Sequence, residues 1–240
     1  MIDFYNLCNK FSHYELIKKT PKDFKYWRND KDLRTKYFKW ICNSSNCPSL
    51  LLDISLPLVT IQKEAENLLD DFVKHRGNIH PGWYSITLHG VSKHITNHWS
   101  NDEYKEYNWK NEPKHIWTEI EKDCPNTVEW LKSLPFDKFS RVRFMLLKPN
   151  GYISPHQDIE KKELCAYNVA ITNPIGVEFA MEKAGLIPWK EGEFRAIDIG
   201  RKHAVRNLSK QNRIHMIIHG KINDDFKRLF CESYDRLMHD

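Results

Sequence analysis

The stretch Ser140-Arg141-Val142-Arg143-Phe144-Met145-Leu146-Leu147-Lys148-Pro149-Asn150-Gly151-Tyr152-Ile153-Ser154-Pro155-His156-Gln157-Asp158 reads as a strand, a turn and a second strand ending in His-x-Asp. Residues 140–147 form a β run, Pro149-Asn150-Gly151 is turn chemistry, and residues 152–155 are again extended. Side chains at i and i+2 of extended backbone point to the same side, so His156 and Asp158 can reach one ion together.

Toward the C-terminus, short β runs follow at 164–172, 177–181, 194–199 and 214–219. Asn173-Pro174-Ile175-Gly176, Lys190-Glu191-Gly192 and Leu208-Ser209-Lys210-Gln211-Asn212 separate them. Evenly spaced short strands of this kind predict a double-sheet jelly roll or a barrel, mainly β with flanking helices. Residues 60–75 predict an amphipathic helix with Thr60 as N-cap, an apolar stripe of Ile61, Ala65, Leu68, Leu69 and Phe72, and Gly77 as stop signal. Residues 83–88 alternate as a strand. Residues 128–134 read as a short helix capped by Asn126 or Thr127 and closed by Pro135. A last amphipathic helix spans about 224–237, and residues 1–50 read as short helices and loops. Between Gly90 and the helix expected at 128–134 lies a long aromatic segment, 91–118, holding His94, His98, Trp99, Tyr104, Tyr107, Trp109, His115 and Trp117. It suits a lid or substrate wall, or a surface excursion packed on its own aromatics. The expected organisation is a 1–75 extension packing on the barrel, a barrel domain over 76–222 with the 91–118 insertion, and a C-terminal helix over 223–240.

The third ligand for an ion at His156 and Asp158 must come from a distant strand. His203 fits, because it follows the run Phe194-Arg195-Ala196-Ile197-Asp198-Ile199-Gly200. Two histidines and one carboxylate on one face of a metal form the facial triad of non-haem iron(II) oxygenases, with positions open for co-substrate and oxygen. Arg213 opens the run Arg213-Ile214-His215-Met216-Ile217-Ile218-His219. Alternation puts Arg213, His215, Ile217 and His219 on one face. An arginine lining a barrel interior is a costly charge unless an anion meets it, either a bound dicarboxylate or an internal Asp or Glu. A dicarboxylate held bidentately points to 2-oxoglutarate. His215 and His219 are explained as core or surface histidines.

Composition sets the class. At 240 residues the chain suits one decorated domain with a sizeable core. Cys8, Cys42, Cys47, Cys124, Cys165 and Cys231 form no CxxC pair, so reduced thiols are expected. The opening Met1-Ile2-Asp3-Phe4-Tyr5 is not a signal peptide, and no apolar run reaches membrane-spanning length, so a cytoplasmic protein without a membrane partner is expected. A formal net charge of +5 is compatible with an anionic substrate but lacks the concentrated basic stripe of a nucleic-acid binder.

Cys124-Pro125-Asn126-Thr127, Leu131-Lys132-Ser133-Leu134-Pro135 and Met145-Leu146-Leu147-Lys148-Pro149-Asn150-Gly151 ahead of Pro155-His156 resemble the aspartyl/asparaginyl β-hydroxylase family of 2-oxoglutarate oxygenases. That family also contains cis-selective proline hydroxylases. The resemblance continues through Asn168-Val169-Ala170-Ile171, Ile197-Asp198 and His203-Ala204-Val205-Arg206-Asn207 with Arg213, and covers roughly residues 80–220. It implies a double-stranded β-helix (a cupin-like jelly roll), with His156 and His203 as iron ligands and Arg213 on the distal carboxylate of 2-oxoglutarate. Asn168 would lie near that co-substrate. Peptide hydroxylases of the family have a non-acidic residue where this chain has Asp158, and the complete triad is similar to that of the free-amino-acid hydroxylases.

The expectation is an iron(II)- and 2-oxoglutarate-dependent dioxygenase, using O2, that hydroxylates an aliphatic C–H bond of an amino acid or amino-acid-like small molecule. Trp83, His89, Arg143 and Arg206 are candidate substrate contacts. The same chemistry on a peptide or protein side chain, or on a natural-product intermediate, is the first alternative. A non-catalytic metal-binding cupin-like module is the second, although a structural site gains nothing from open coordination positions.

Overall fold

The computed structural model describes residues 48–76, 80–96, 115–158, 166–182 and 184–239. The expectations for residues 1–47 and for positions 97–114 of the aromatic segment lie outside these. The first elements are β1 (Ser49–Leu52), α1 (Leu58–Asn67), β2 (Val73–Lys74), β3 (Trp83–Gly90), β4 (Ile116–Trp117) and α2 (Pro125–Ser133). The remainder are β5 (Phe136–Leu147), β6 (Tyr152–His156), β7 (Ala166–Thr172), β8 (Val177–Met181), β9 (Gly185–Leu186), β10 (Phe194–Ile197), β11 (His203–Asn207), β12 (Arg213–Ile222) and α3 (Asp224–His239).

The strands form two antiparallel sheets, the layering of a jelly roll. The larger runs β1-β10-β7-β12-β5-β3-β2, with β4 added to β3, and the smaller runs β6-β11-β8-β9. Period-two alternation on β5, β7 and β12 divides the interior. Phe144, Leu146, Tyr167, Val169, Met216 and Ile218 face outward, where Ile61 and Ala65 of α1, Val128 and Leu131 of α2, and Phe226, Phe230 and Tyr234 of α3 cover them. Met145 and Leu147 face the small sheet, meeting Ile153, Phe179, Met181 and Val205 in a second core between the sheets. Each large side chain so buried contributes about 1.5–3 kcal/mol. β1 pairs with β10, so residues 49–52 of the expected 1–75 extension are part of the larger sheet. No described helix is long and apolar enough to cross a membrane. Cys124 and Cys231 are buried free thiols, and burial pushes the Cys124 thiol up to about 12.

Three local expectations are corrected. Pro57, not Thr60, is the N-cap of α1, and the Ile61 N–H donates to the Pro57 carbonyl at 3.0 Å. That helix ends at Asn67, well before Gly77, and the apolar stripe continues through a 3-10 turn at Leu69–Asp71. Leu68 and Phe72 remain buried, because both helix types bring residues three or four apart to one side. Asn126 and Thr127 are inside α2 rather than capping it. Their backbone N–H groups donate to the Glu64 carboxylate of α1 at 3.0 and 2.9 Å, and the Asn126 amide and Thr127 hydroxyl donate to it as well.

Gly82 and Gly151 bind the two sheets at one point. Gly82 has φ +76°, and a Cβ there would stand 2.8 Å from the Gly151 Cα. The Lys148 N–H donates to the Gly82 carbonyl at 2.9 Å and the Tyr152 N–H to the Pro81 carbonyl at 3.0 Å. The start of β3 therefore rests against the β5–β6 turn, in which Asn150 adopts φ +61°.

Glu64 gives a prediction about stability. Burial raises its pKa, but the hydrogen bonds from Thr127 and Asn126 outweigh this and leave it below the ordinary 4.5. Glu64→Ala should cost about 2–3 kcal/mol at neutral pH, read from urea unfolding, because it strands helix N–H donors that met a charge. A carboxylate with a depressed folded pKa stabilises above its unfolded value and loses that contribution as pH falls through the folded one. The gap between wild type and variant should therefore narrow as the pH falls through that depressed pKa.

Candidate metal centre and its walls

The antiparallel register of β6 and β11 sets His203 directly opposite His156, and their ring centroids are 4.3 Å apart. Asp158 follows two residues beyond the end of β6, its N–H held by the Ile199 carbonyl at 3.0 Å, and its Oδ2 approaches His203 Nε2 to 3.9 Å. One ligand atom from each of His156, Asp158 and His203 lies within 4.8 Å of the others. An ion about 2 Å from each would draw them slightly together.

Both imidazoles are oriented by their own strands. His156 Nδ1 donates to the Ser154 carbonyl at 2.8 Å and His203 Nδ1 to the Arg201 carbonyl at 2.9 Å. With the proton on Nδ1, each ring offers Nε2 as a free lone pair, the tautomer that ligates a metal. Phe179 stacks flat on His203 at 5.8 Å and 6°. Burial first, and then the neighbouring His156, hold the His203 imidazole down to about 4, against the opposing pull of the Arg201 carbonyl, Asp158 and Asp198. His203 is thus neutral at physiological pH. This donor set, two imidazoles with Nε2 turned free and a half-exposed carboxylate, suits iron(II).

Arg213 is buried on the face of β12 that looks between the sheets. Its Nε has no hydrogen-bond partner, and no carboxylate pairs with it among the described residues. Burial alone pulls its guanidinium down to about 9. The internal Asp or Glu weighed in the sequence is absent among the described residues. On the same face, His215 is fully buried with Nδ1 unpartnered, and burial and the Arg213 charge push its imidazole well down. His215 Nε2 lies 3.4 Å from Asn173 Oδ1, an acceptor, so its neutral ring carries the proton on Nε2 and Nδ1 is left as a lone pair. The buried guanidinium of Arg213 is the donor that fits the distal carboxylate of a dicarboxylic acid. Sequence reasoning had assigned His215 no part here. Asn168 shares this inward face but lies opposite Ile217, four positions along β12 from Arg213, or about 13 Å.

The other candidates separate. Trp83 is buried with its ring 6.5 Å from His156, beside His80 at 5.2 Å and His75 at 4.2 Å. Arg143 is buried on the same face of the large sheet and donates to the Thr96 carbonyl. His89 instead donates to the Ser140 carbonyl at 3.0 Å and packs on Trp117 and Phe139, an aromatic group next to the outer core. Arg206 is tied to Glu178 at 2.6 Å, and its register partners are Tyr152 and Glu178 rather than a ligand. Three residues at the centre went unnoticed in the sequence. His80 accepts the Ser154 N–H at 3.0 Å, its ring lies 6.0 Å from His156, and burial, then His156 and Arg76, bring it to about 4. Arg76 approaches Asp158 at 3.9 Å. His75 accepts or donates at Ser85 and Thr96. The glycine contact and the backbone hydrogen bonds beside it bring the stretch around 80–83 to this place, and no spacing motif marks it.

The family described as aspartyl/asparaginyl beta-hydroxylase matches residues 58–221. No curated protein matches the sequence. Among solved structures the chain is similar to a 2OG-Fe(II) oxygenase family oxidoreductase from Burkholderia pseudomallei, at 9% identity and TM-score 0.45, over 78% of this chain and 89% of that one. It is similar also to a Pseudomonas putida prolyl-4-hydroxylase, at 11% identity and TM-score 0.45, over 79% of this chain and 99% of that one. A third is HygX from Streptomyces hygroscopicus, with nickel and 2-oxoglutarate bound, at 7% identity and TM-score 0.44, over 79% of this chain and 87% of that one.

Manganese(II), an oxygen-stable stand-in for iron(II), tests the cluster in thermal unfolding. At a free concentration one hundred times its Kd it should add about 2.7 kcal/mol to the stability of the wild type. Replacing His156 or His203 by Ala should remove that gain, and an undiminished shift in both variants would exclude them as ligands.

Proposed function

This chain belongs to the aspartyl/asparaginyl β-hydroxylase family and is an iron(II)- and 2-oxoglutarate-dependent dioxygenase, and from that premise we propose that it hydroxylates an aliphatic C–H bond of a free amino acid or amino-acid-like small molecule. The products are the alcohol, succinate and carbon dioxide, one oxygen atom of O2 going to each of the first two. The observation that carries the site assignment is the meeting of His156, Asp158 and His203 with an uncompensated buried cation, Arg213, on the facing sheet. In this reading residues 76–222 carry the catalytic domain, with β1 and α1 built onto its larger sheet.

His156, Asp158 and His203 would hold the iron, and Arg213 would receive the far carboxylate of 2-oxoglutarate. Iron with bound 2-oxoglutarate supplies the activation of O2 and the oxidising power for C–H hydroxylation. The protein's own contribution is placement. The Nδ1–carbonyl bonds fix both imidazoles before any ligand arrives, which keeps the ordering cost low. Arg213 sets the direction of the co-substrate, since its burial makes a two-point carboxylate contact far stronger than in water. Trp83 and the inter-sheet apolar residues keep water away. The complete triad, with Asp158 in it, supports a small free substrate over a peptide side chain, and three ligands with open positions argue against a purely structural metal.

Mixed anaerobically with iron(II) and 2-oxoglutarate, the protein should develop a weak visible charge-transfer band, and admitting air with substrate should release succinate. Neither band nor succinate would leave the binding-module reading in its place. Arg213→Ala should weaken 2-oxoglutarate binding by about 2–5 kcal/mol, more than thirtyfold, while retaining the manganese-induced thermal shift. Asp158→Ala should abolish succinate formation, and near-normal turnover would mean that two histidines suffice.

A further inference from the structure

Beside the metal-ligand cluster, two buried donor atoms point to a ligand that the hydroxylation machinery so far described does not supply. Arg76 and Trp83 stand together, the guanidinium carbon 5.8 Å from the centre of the indole. The Arg76 Nε and the Trp83 Nε1 are both buried, and neither has a hydrogen-bond partner among the described residues. Buried N–H groups are almost always satisfied, so a pair of orphans on one wall marks a place where an acceptor binds. The remainder of the Arg76 side chain stays open, at 30% exposure, and a ligand can therefore enter from solvent.

Asp158, the carboxylate that approaches Arg76 among the described residues, does not fill that role. The Arg76 guanidinium approaches Asp158 Oδ1 to 3.9 Å, beyond hydrogen-bonding reach. A bound ion would also draw on the charge of that carboxylate. Arg76 adopts φ +63°, a left-handed backbone uncommon for any residue but glycine, asparagine or aspartate. The surroundings favour negative charge as well. His75, in ring contact with Trp83, is held well below its ordinary pKa by burial and then by Arg143, Arg76, Arg141 and His80. His80 accepts the Ser154 N–H at Nδ1, so its neutral ring carries its proton on Nε2. The field at this wall is positive and its free hydrogen-bonding groups are donors.

We propose that Arg76 and the indole N–H of Trp83 form the subsite for a carboxylate of the substrate. This rests on the hydroxylase function above and narrows its substrate class. Because Arg76 is the immediate neighbour of Asp158, the carboxylate binds within a few bonds of the carbon presented to the iron. That geometry selects a small carboxylic acid, with an α-amino acid hydroxylated on its side chain as the fitting case. The same carboxylate chemistry comes from a free amino acid or from the last residue of a peptide.

The test measures 2-oxoglutarate consumption by the full-length, iron-loaded protein against a panel of free L-amino acids, their α-amides, and dipeptides with the same residue at a free C-terminus. At least one acid should stimulate turnover, and its amide should fail. Arg76→Gln should raise the KM for that acid by about thirtyfold or more with a smaller change in kcat, and Arg76→Lys should recover part of the loss. The KM for 2-oxoglutarate and the manganese-induced thermal shift should stay at their wild-type values. Stimulation by the dipeptide but not the free acid would identify a peptide C-terminus as the source of the carboxylate. Equal response to acid and amide would overturn the subsite. So would a loss of metal or co-substrate binding in Arg76→Gln with KM for the acid unchanged, which would make Arg76 a positioning residue for Asp158. A visible band with no response to any acid would sink the subsite and leave the hydroxylase reading standing, whereas absence of the band would remove both.

Discussion

The pairing of β6 with β11 governs the centre of this molecule. Its register puts His156 opposite His203, so two side chains remote in sequence begin only a cross-strand distance apart. A slip of one residue would turn His203 and Val205 away from the interior and Arg206 toward it. The register is locked on both sides, because β11 also pairs with β8 over its whole length, and Phe179 and Val205 bury their side chains in the inter-sheet core. Packing that looks purely structural is therefore what holds a ligand set in place. The backbone carbonyls two residues before each histidine complete the arrangement by choosing the tautomer.

Across from that pair of imidazoles stands a cation. A guanidinium removed from water and left without a counter-charge is expensive, and folded proteins keep one only where something repays the desolvation. Arg213 is such a group, its Nε without a partner among the described residues. The interior is thus not uniformly apolar. Residues facing the helices are hydrophobic along every strand of the larger sheet, whereas the opposite face of the same strands carries Arg143, Asn168, Arg195, Arg213 and His215. Arg195 is satisfied by Glu193. Stability resides mainly on one face of the sheet and chemistry on the other.

The division between legible and hidden follows from distance along the chain. His156 and Asp158 were readable because extended backbone aligns alternate residues. Strands β5 to β8, β10 and β12 were readable because turn residues punctuate them. Arg213 was readable because alternation assigned it an inward face that its charge made conspicuous. The cap on α2 was not, since its acceptor is Glu64 on another helix, and polar residues near a helix start look like caps whether or not they serve as such. Arg206 follows His203 closely in sequence yet pairs with Glu178, because neighbouring positions on a strand diverge to opposite faces. His89 ends a strand that begins at the metal, and the length of that strand carries it into a different aromatic group. Arg76, His80 and Trp83 meet β6 through contacts between separate backbones, and single-sequence patterns carry no record of those.

The abutting glycines at 82 and 151 bear on how such a protein can diversify. Where two main chains touch without side chains between them, the gap has no spare width, and any added carbon must push one strand off the other. One of those strands leads into Trp83 and the other into His156. Mutational drift toward bulkier guests therefore cannot proceed by prising the sheets apart at this seam without dislodging the ion's anchorage. It must work by trimming or swapping individual side chains around the rim, so the seam acts as a hinge pin while the furniture of the chamber stays free to change.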